Sequence, residues 1–248
     1  MSQLVENKKV IVILPAYNAE KTLAGVINDV PKGWVDDLIL VDDKSSDKTV
    51  EVSKSLGLKT FCHEKNKGYG ANQKTCYKKA LELGADIVVM LHPDHQYDPK
   101  LIPEIIKPLA ADKADAVFGS RMMIRKNALL GGMPYWKYLS NIFLTKVENF
   151  VLGLNLTDCH SGFRAYSAKT LKSVAFEKNS DNFAFDAEII VQLKIAGLAI
   201  GEIPIATKYF SEAGTMGFWQ GVRYGLTVFE ILFLYIFHQL GIRNFKQE

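Results

Sequence analysis

The feature that most constrains this chain is a repeated alternation of short β-branched runs with helical stretches. "KVIVILP" reads as a strand and "AEKTLAGVINDVP" as a helix; "DLILVDD" is a strand, and "SDKTVEVSKSLG" a helix with Ser46 at its N-cap. "KTFCHE" is a short strand, "YGANQKTCYKKALELG" a helix closed by Gly84, "ADIVVML" a strand, "PKLIPEIIKPLA" a helix and "ADAVFGS" a strand. Near-continuous apolar strands joined by helices predict an α/β fold with a mostly parallel sheet and helices on both faces. Ligands of such sheets bind at the carboxyl ends of the strands. Pro15-Ala16-Tyr17-Asn18, Asp42-Asp43, His92-Pro93-Asp94 and Gly119-Ser120-Arg121 all fall at those ends. The polar chemistry of the first half therefore gathers on one rim.

At 248 residues the chain can bury a real core as one large domain or two small ones. A net charge of +3 is too mild to argue for nucleic acid, and none is expected as a partner. Cys62, Cys76 and Cys159 have neither paired nor metal-type spacing, so they read as buried thiols of a reducing, cytoplasmic compartment. The N-terminus lacks the architecture of a signal peptide.

The second half changes character. "PYWKYLSNIFLTKVENFVLGL" is a long aromatic helix, followed by the polar turn "TDCHSGFRAYS", a helix around "DAEIIVQLKIAG" and the strand "LAIGEIPIATKYF". "GFWQGVRYGLTVFEILFLYIFHQLGIRNF" is a last, strongly apolar helix. Its unbroken apolar run, Ile231 to Phe237, is far below the ~18–20 residues that span a bilayer, which predicts a soluble or membrane-associated chain.

Three stretches carry chemistry. Adjacent like charges at Asp42-Asp43 cost energy unless something uses them. Carboxylates there can accept from a base edge or ribose hydroxyls, while Asp47 is explained by the helix it opens. "NKGYGANQK" can bring backbone near a ligand and start a helix whose free N–H groups suit phosphate, although an ordinary turn explains it equally. In "MLHPDHQYDP", extended backbone would place His92, Asp94 and Gln96 on one side, a partial shell for Mn²⁺ or Mg²⁺. Asp98 is expected to cap the next helix with Pro99 at its first position, and His95 to be a surface residue.

"ILPAYNAEKTL", "VDDKSSDKT", "NKGYGANQK", "HPDHQYDP", "GSR" and "DCHSGFRAYS" occur in the order and spacing of family 2 glycosyltransferases. The chain most resembles the dolichyl- or polyprenyl-phosphate sugar transferases of that family, over about residues 8 to 215. The resemblance implies a GT-A (Rossmann-like) fold, a UDP- or GDP-sugar donor, a divalent ion, Mn²⁺ or Mg²⁺, and inversion at the anomeric carbon. It implies that Pro15, Tyr17 and Asn18 line the nucleotide pocket, that Asp42 or Asp43 binds base or ribose, and that Lys67 and Gly70 lie nearby. Asp94 matches the second acid of the family's D-x-D motif and Gln96 the glutamine after it; His92 departs from the first acid. Arg121, Ser161 and Arg164 match diphosphate- and acceptor-phosphate positions. In "KYFSEAGTMGFW" the family's basic loop is replaced by Lys208 and the acidic Glu212.

A lipid monophosphate acceptor, largely ionised at neutral pH, needs cations rather than a base, and Arg121, Arg125 and Arg164 qualify. A hydroxyl acceptor needs a base; Asp158 and Asp186 are candidates, with Glu188 assisting. The aromatic helices, about 134–153 and 217–240, carry faces that more often pack on a core or on a partner subunit in a homo-oligomer, but the lipid acceptor implied by the resemblance tips the expectation to a membrane interface through Trp136, Tyr138, Phe143, Phe218, Trp219, Phe229 and Tyr235. A domain of residues 1–215 followed by an amphipathic segment of 216–248 is expected. The leading expectation is a transferase moving sugar to a polyprenyl phosphate, peripheral on the cytoplasmic membrane face. The alternatives are a soluble transferase with a hydroxyl acceptor and a non-catalytic sugar-nucleotide binding protein.

Overall fold

A computed structural model describes residues 7–209 and 217–245. In chain order the elements are β1 (Val10–Ala16), α1 (Leu23–Asp29), β2 (Asp37–Asp42), α2 (Thr49–Ser55), β3 (Lys59–Cys62), α3 (Tyr69–Glu82) and β4 (Ile87–Met90). A 3₁₀ turn (Pro99–Leu101) precedes α4 (Ile102–Ala110), β5 (Ala116–Ser120), α5 (Arg125–Leu130), α6 (Tyr135–Leu152), β6 (Arg164–Ser167), α7 (Ala168–Ser173), α8 (Phe185–Ile195), β7 (Ile200–Pro204) and α9 (Phe218–Gln239).

The strands form one seven-stranded sheet in the order β3-β2-β1-β4-β6-β5-β7. All are parallel except β6, which runs antiparallel between β4 and β5 and sets Arg164 beside Met90 and Phe118. The α/β expectation therefore holds, with one reversal. "RAYS", expected within a polar turn, is this central buried strand. Its short run opens with an arginine, so it carries neither the length nor the apolar continuity of a buried strand.

Alternate strand residues feed two cores, one on each face. Ile11, Ile13, Ile39 and Val41 pack with residues of α3, α8 and α9. Val10, Val12, Leu14 and Leu40 pack with α1 and α4. Every residue of β1 is buried, as a strand covered on both faces requires.

Several local expectations change. Lys48, not Ser46, is the N-cap of α2; Asp47 Oδ1 accepts from Thr49 N at 3.0 Å instead. Asp98 caps as expected, accepting from Lys100 N at 3.0 Å with Pro99 following. Gly84, at φ +76°, follows the end of α3. Cys76 and Cys159 are buried, but Cys62 at the end of β3 is exposed. Among the described residues α9 is long and apolar enough to cross a membrane, by length and composition. The short unbroken run understated this, because Glu230 interrupts a helix that is apolar on both sides of it. Yet Val228, Ile231, Leu232 and Tyr235 of α9 are buried, and the helix packs on α6 and α8.

The start of α3 shows why glycine stands there. A Cβ on Gly70 would meet the carbonyl oxygens of Ser180 and Asn182, the latter at 2.8 Å, and Phe185 Cβ at 2.9 Å. Gly68, at φ +99°, would bring its Cβ to 2.6 Å from Asp181 O. The glycines admit the 180–182 segment, not a ligand. Gly70 N and Ala71 N both donate to Asp181 O, at 2.8 and 3.3 Å, so these N–H groups are not free for phosphate. Gly70→Ala is expected to destabilise the protein by about 1–3 kcal/mol through overpacking, seen as a lower urea midpoint at unchanged m-value.

Candidate active site

The carboxyl rim of β1, β2, β4 and β5 borders a cleft of about 780 Å³. Pro15, Tyr17, Asn18, Asp43, His92, Asp94, Gln96 and Arg121 line it, and so does Asp186. Asp42, Lys67, Gly70, Asp158, Arg164 and Glu188 are not among its lining residues. The sequence motifs thus divide into a group that faces the cleft and a group that builds its walls.

Asp43 does both. Its Oδ1 accepts from Lys67 N at 2.9 Å and meets His63 Nδ1 at 2.7 Å, and its Oδ2 accepts from Gly68 N at 2.9 Å. Lys67 is exposed and takes part through its backbone. Asp42 is 2% exposed; its Oδ2 accepts from Ser45 N at 3.0 Å, and its Oδ1 is buried without a partner among the described residues. Asn18, at φ +52°, accepts from Ser46 N at 2.9 Å and thereby ties the β1 loop to the β2 loop.

The segment after β4 is not extended. It turns at Pro93–Asp94, and His95 takes φ +61°. Alternation therefore does not operate, and His92, Asp94 and Gln96 have different surroundings. Asp94 Oδ1 accepts from Gln96 N at 3.0 Å. Gln96 buries an unpartnered Nε2, a donor that suits a phosphate oxygen rather than a cation. His92 stacks on Tyr69 with centroids 5.6 Å apart and brings Nε2 to 3.2 Å from the Tyr69 hydroxyl. That hydroxyl donates to Asp186 Oδ2 at 2.8 Å. Burial, with the Asp186 charge adding to it, raises the Tyr69 hydroxyl well above its ordinary value, so it keeps its proton. Its one proton goes to Asp186, and His92 Nε2 must then be the donor to its oxygen. His95 is not incidental: Nε2 meets Asp29 Oδ2 at 3.0 Å at the end of α1.

Among the described residues no group of three or more His, Cys, Asp or Glu side chains gathers to hold a metal. Asp94 is the carboxylate of the β4 turn that faces the cleft. One carboxylate, with water and substrate phosphates completing the shell, is a donor set that Mg²⁺ or Mn²⁺ accepts.

Across the cleft, Arg121 and Asp158 form a bidentate pair, Nε–Oδ2 at 2.7 Å and Nη2–Oδ1 at 2.9 Å. Arg121 N at 3.1 Å and Asn141 Nδ2 at 2.8 Å also donate to the carboxylate. Burial alone would raise the Asp158 carboxyl; the Arg121 charge and these hydrogen bonds outweigh it and hold the group well below the usual carboxylate range. Asp158 is unsuited to act as a base. Glu188 is equally inward, accepting from Ser180 Oγ at 2.6 Å. Arg164 is wholly buried: it donates to the carbonyls of Ser161, Cys159 and Asp186 at 2.8, 2.9 and 3.0 Å and lies over the Phe118 ring. It props the turn before β6 and holds Asp186, and no donor of it reaches the cleft. Ser161 is buried in that turn. Arg125 is exposed outside the cleft lining, and Glu212 lies outside the described residues.

Lys137, which sequence reasoning missed, lines the cleft from α6 and lies over the rings of Trp136 and Tyr209. Burial, then the Arg121 charge, pulls its ammonium below the ordinary lysine value. Met133, Trp136, Leu144 and Tyr224 make the surrounding wall apolar and aromatic. Of the expected interface residues, Phe143, Phe218 and Trp219 are exposed, whereas Trp136, Tyr138 and Phe229 are half-buried. Tyr235 belongs to the core.

A parallel sheet whose carboxyl rim carries a polar cleft defines a nucleotide-type binding fold. The model of Glycosyl transferase family 2 matches residues 11–174, and the chain belongs to that family. It is 32% identical over 240 residues to the UDP-N-acetylglucosamine–dolichyl-phosphate N-acetylglucosaminyltransferase of Methanococcus voltae, covering 90% of this chain and 94% of that one. It is 28% identical over 207 residues to the undecaprenyl-phosphate mannosyltransferase of Micrococcus luteus, covering 79% and 82% of the two chains. The fold matches the glucosyl-3-phosphoglycerate synthase of Mycobacterium tuberculosis crystallised with UDP, with a TM-score of 0.68 at 20% identity, over 97% of this chain and 83% of that one. The GT-A expectation is met.

Removing Asp158 would leave Arg121 buried and uncompensated, so Asp158→Ala is expected to destabilise the fold by about 3–5 kcal/mol. Because the folded carboxyl titrates below its unfolded value of ~3.9, this contribution is complete above that pH and is lost as pH falls below it. Denaturant midpoints of wild type and variant should therefore converge on acidification below about pH 4.

Proposed function

We propose that this glycosyltransferase moves a sugar, with inversion, from a UDP- or GDP-linked donor to a polyprenyl or dolichyl phosphate at a membrane surface. The observation that carries this reading is the acceptor wall. Lys137 and Arg121 are neighbouring cations in one cleft, and apolar and aromatic side chains surround them. A cationic pair in an apolar wall suits a phosphate with a hydrocarbon tail better than it suits a sugar hydroxyl. The lipid-phosphate acceptors named for the archaeal and bacterial relatives point the same way.

On this reading the β1 and β2 loops hold the nucleoside: Pro15, Tyr17, Asn18 and Asp43 line that part of the cleft, and Asp42, buried outside the lining, shapes the β2 loop through Ser45 N. Asp94 would hold Mn²⁺ or Mg²⁺, which when bound with the diphosphate offsets charge on the leaving oxygen. Gln96 Nε2 donates to a phosphate oxygen. His92 is a poor ligand through Nε2, which Tyr69 already occupies. Arg121, oriented by Asp158, and Lys137 place the acceptor phosphate, whose own oxygen is the nucleophile, so that no strong base is required. Asp186 would be the cleft carboxylate available as a base if a hydroxyl were the acceptor. Exposed Tyr135, Phe143, Trp219, Leu226 and Phe233 on α6 and α9 offer contacts to the lipid surface from which the acceptor comes.

The test is release of nucleoside diphosphate from a panel of UDP- and GDP-sugars with a short polyprenyl phosphate and Mn²⁺. Asp94→Ala should abolish turnover, and Lys137→Ala should raise the acceptor KM about tenfold or more, from loss of a charge-assisted contact. Undiminished turnover in Asp94→Ala would remove the metal assignment. Transfer to a soluble hydroxyl but not to the lipid phosphate would overturn the acceptor.

A further inference from the structure

The buried face of α6 carries a polar stripe, Asn141, Thr145 and Glu148, spaced one turn apart. Each side chain meets the turn that carries Asp158. Asn141 donates to Asp158 at 2.8 Å, and Thr145 Oγ1 accepts from Cys159 N at 3.3 Å. Asn149, on the next position, both donates to and accepts from the backbone of Leu156, at 2.7 and 2.9 Å. These partners are neutral. Glu148 is different: a carboxylate 1% exposed, facing His160 Nε2 at 3.2 Å in an alignment that is not a linear hydrogen bond. A buried carboxylate is costly unless partnered, and an amide at this position would have tied the turn as Asn141 does.

What the carboxylate adds is control of the imidazole. It faces the imidazole at Nε2, 3.2 Å away, while the other ring nitrogen is met from α9. Nδ1 and the hydroxyl of Tyr224 share a hydrogen bond of 3.1 Å, and the two rings meet edge to face at 5.6 Å. Tyr224 stands on α9 and lines the cleft. On the other side, His160 N donates to Asp158 Oδ1 at 3.0 Å, and that carboxylate holds Arg121. A directional line thus runs from α9 through Tyr224, His160 and Asp158 to Arg121. The buried residues of α9, Val228, Ile231, Leu232 and Tyr235, are apolar or aromatic and lie further along the helix. Hydrophobic packing of that kind is non-directional and does not fix the near end of α9.

We propose that His160, held between Glu148 and Tyr224, is a positioning residue that makes the seat of α9 a condition for placing Arg121 in the cleft. This rests on Arg121 receiving the acceptor phosphate. Glu148 is not among the cleft-lining residues, so a change there does not touch the acceptor directly.

The test compares Glu148→Leu, Glu148→Gln and Tyr224→Phe in the full chain, with donor binding, acceptor kinetics and hydrogen exchange measured on each. Glutamine keeps a polar group of the same length beside His160 Nε2; leucine does not. Glu148→Leu and Tyr224→Phe should each raise the acceptor KM roughly fivefold to tenfold, the worth of about one hydrogen bond, with kcat within about twofold and donor Kd unchanged. The two effects should not multiply in the double variant. Glu148→Gln should stay close to wild type. Amide exchange at the start of α9 and in residues 156–161 should rise together in Glu148→Leu and not in Glu148→Gln. Equal effects of leucine and glutamine, or a lower Tm with unchanged acceptor KM and unchanged exchange at α9, would overturn the proposal. If wild type transfers nothing to a lipid phosphate, the acceptor reading fails, and the exchange comparison still decides whether the strut exists.

Discussion

The Arg121–Asp158 pair is the interaction on which the α6 side of the cleft depends. It joins the end of β5 to the turn that precedes β6, two segments brought together because β6 inserts antiparallel beside β5. Neither charge tolerates burial alone. Together, with the Asn141 amide and two backbone N–H groups, they satisfy one another and fix the guanidinium at the cleft edge. Glu202 extends the arrangement, accepting from Thr157 N and Asp158 N. Its carboxyl sits above the usual value, because burial outweighs the hydrogen bonds. The Arg121 guanidinium is therefore held before any ligand arrives, and little ordering remains to be done on binding.

The same economy explains the donor side. Asp43 and Asn18 look like ligand-binding residues in the sequence and Asp47 like a helix opener, and each is engaged by the backbone of a neighbouring loop. These bonds hold the β1, β2 and pre-α3 loops against one another at the rim. Asn72 from α3 adds to this by donating to the carbonyls of Ala16 and Val41. A polar residue at a strand end thus need not touch ligand to be required for binding.

The fold was largely legible because its signals are local. Apolar runs mark the parallel strands, and Asp98-Pro99 marks a helix start. The reversal at β6 was not legible, since pairing between β4 and β5 is decided by long-range packing and "RAYS" carries no strong strand signal. In the site, Asp94 and Arg121 were found at the ends of readable strands. Lys137 was missed because it sits in the first turns of a long helix, far from every strand end in sequence. Arg164, Asp158 and Glu188 were assigned chemistry because sequence shows residue type and order but not burial, and each is spent on structure. His92, Asp94 and Gln96 were grouped by an alternation that a left-handed residue at His95 breaks.

Once these internal pairings are removed, the charges that face the cleft are few. Asp43 is met by His63 and backbone, Asp158 by Arg121, and Asp186 by Tyr69, Gln73 and Arg164. Asp94, on the rim, has only the Gln96 amide, and Lys137, on the α6 wall, lies over aromatic rings with no carboxylate partner among the described residues. The rim therefore offers a carboxylate to a cation and the α6 wall offers a cation to an anion. With His92 bonded to Tyr69 in place of a second acid, Asp94 does not share the rim with another carboxylate of its turn.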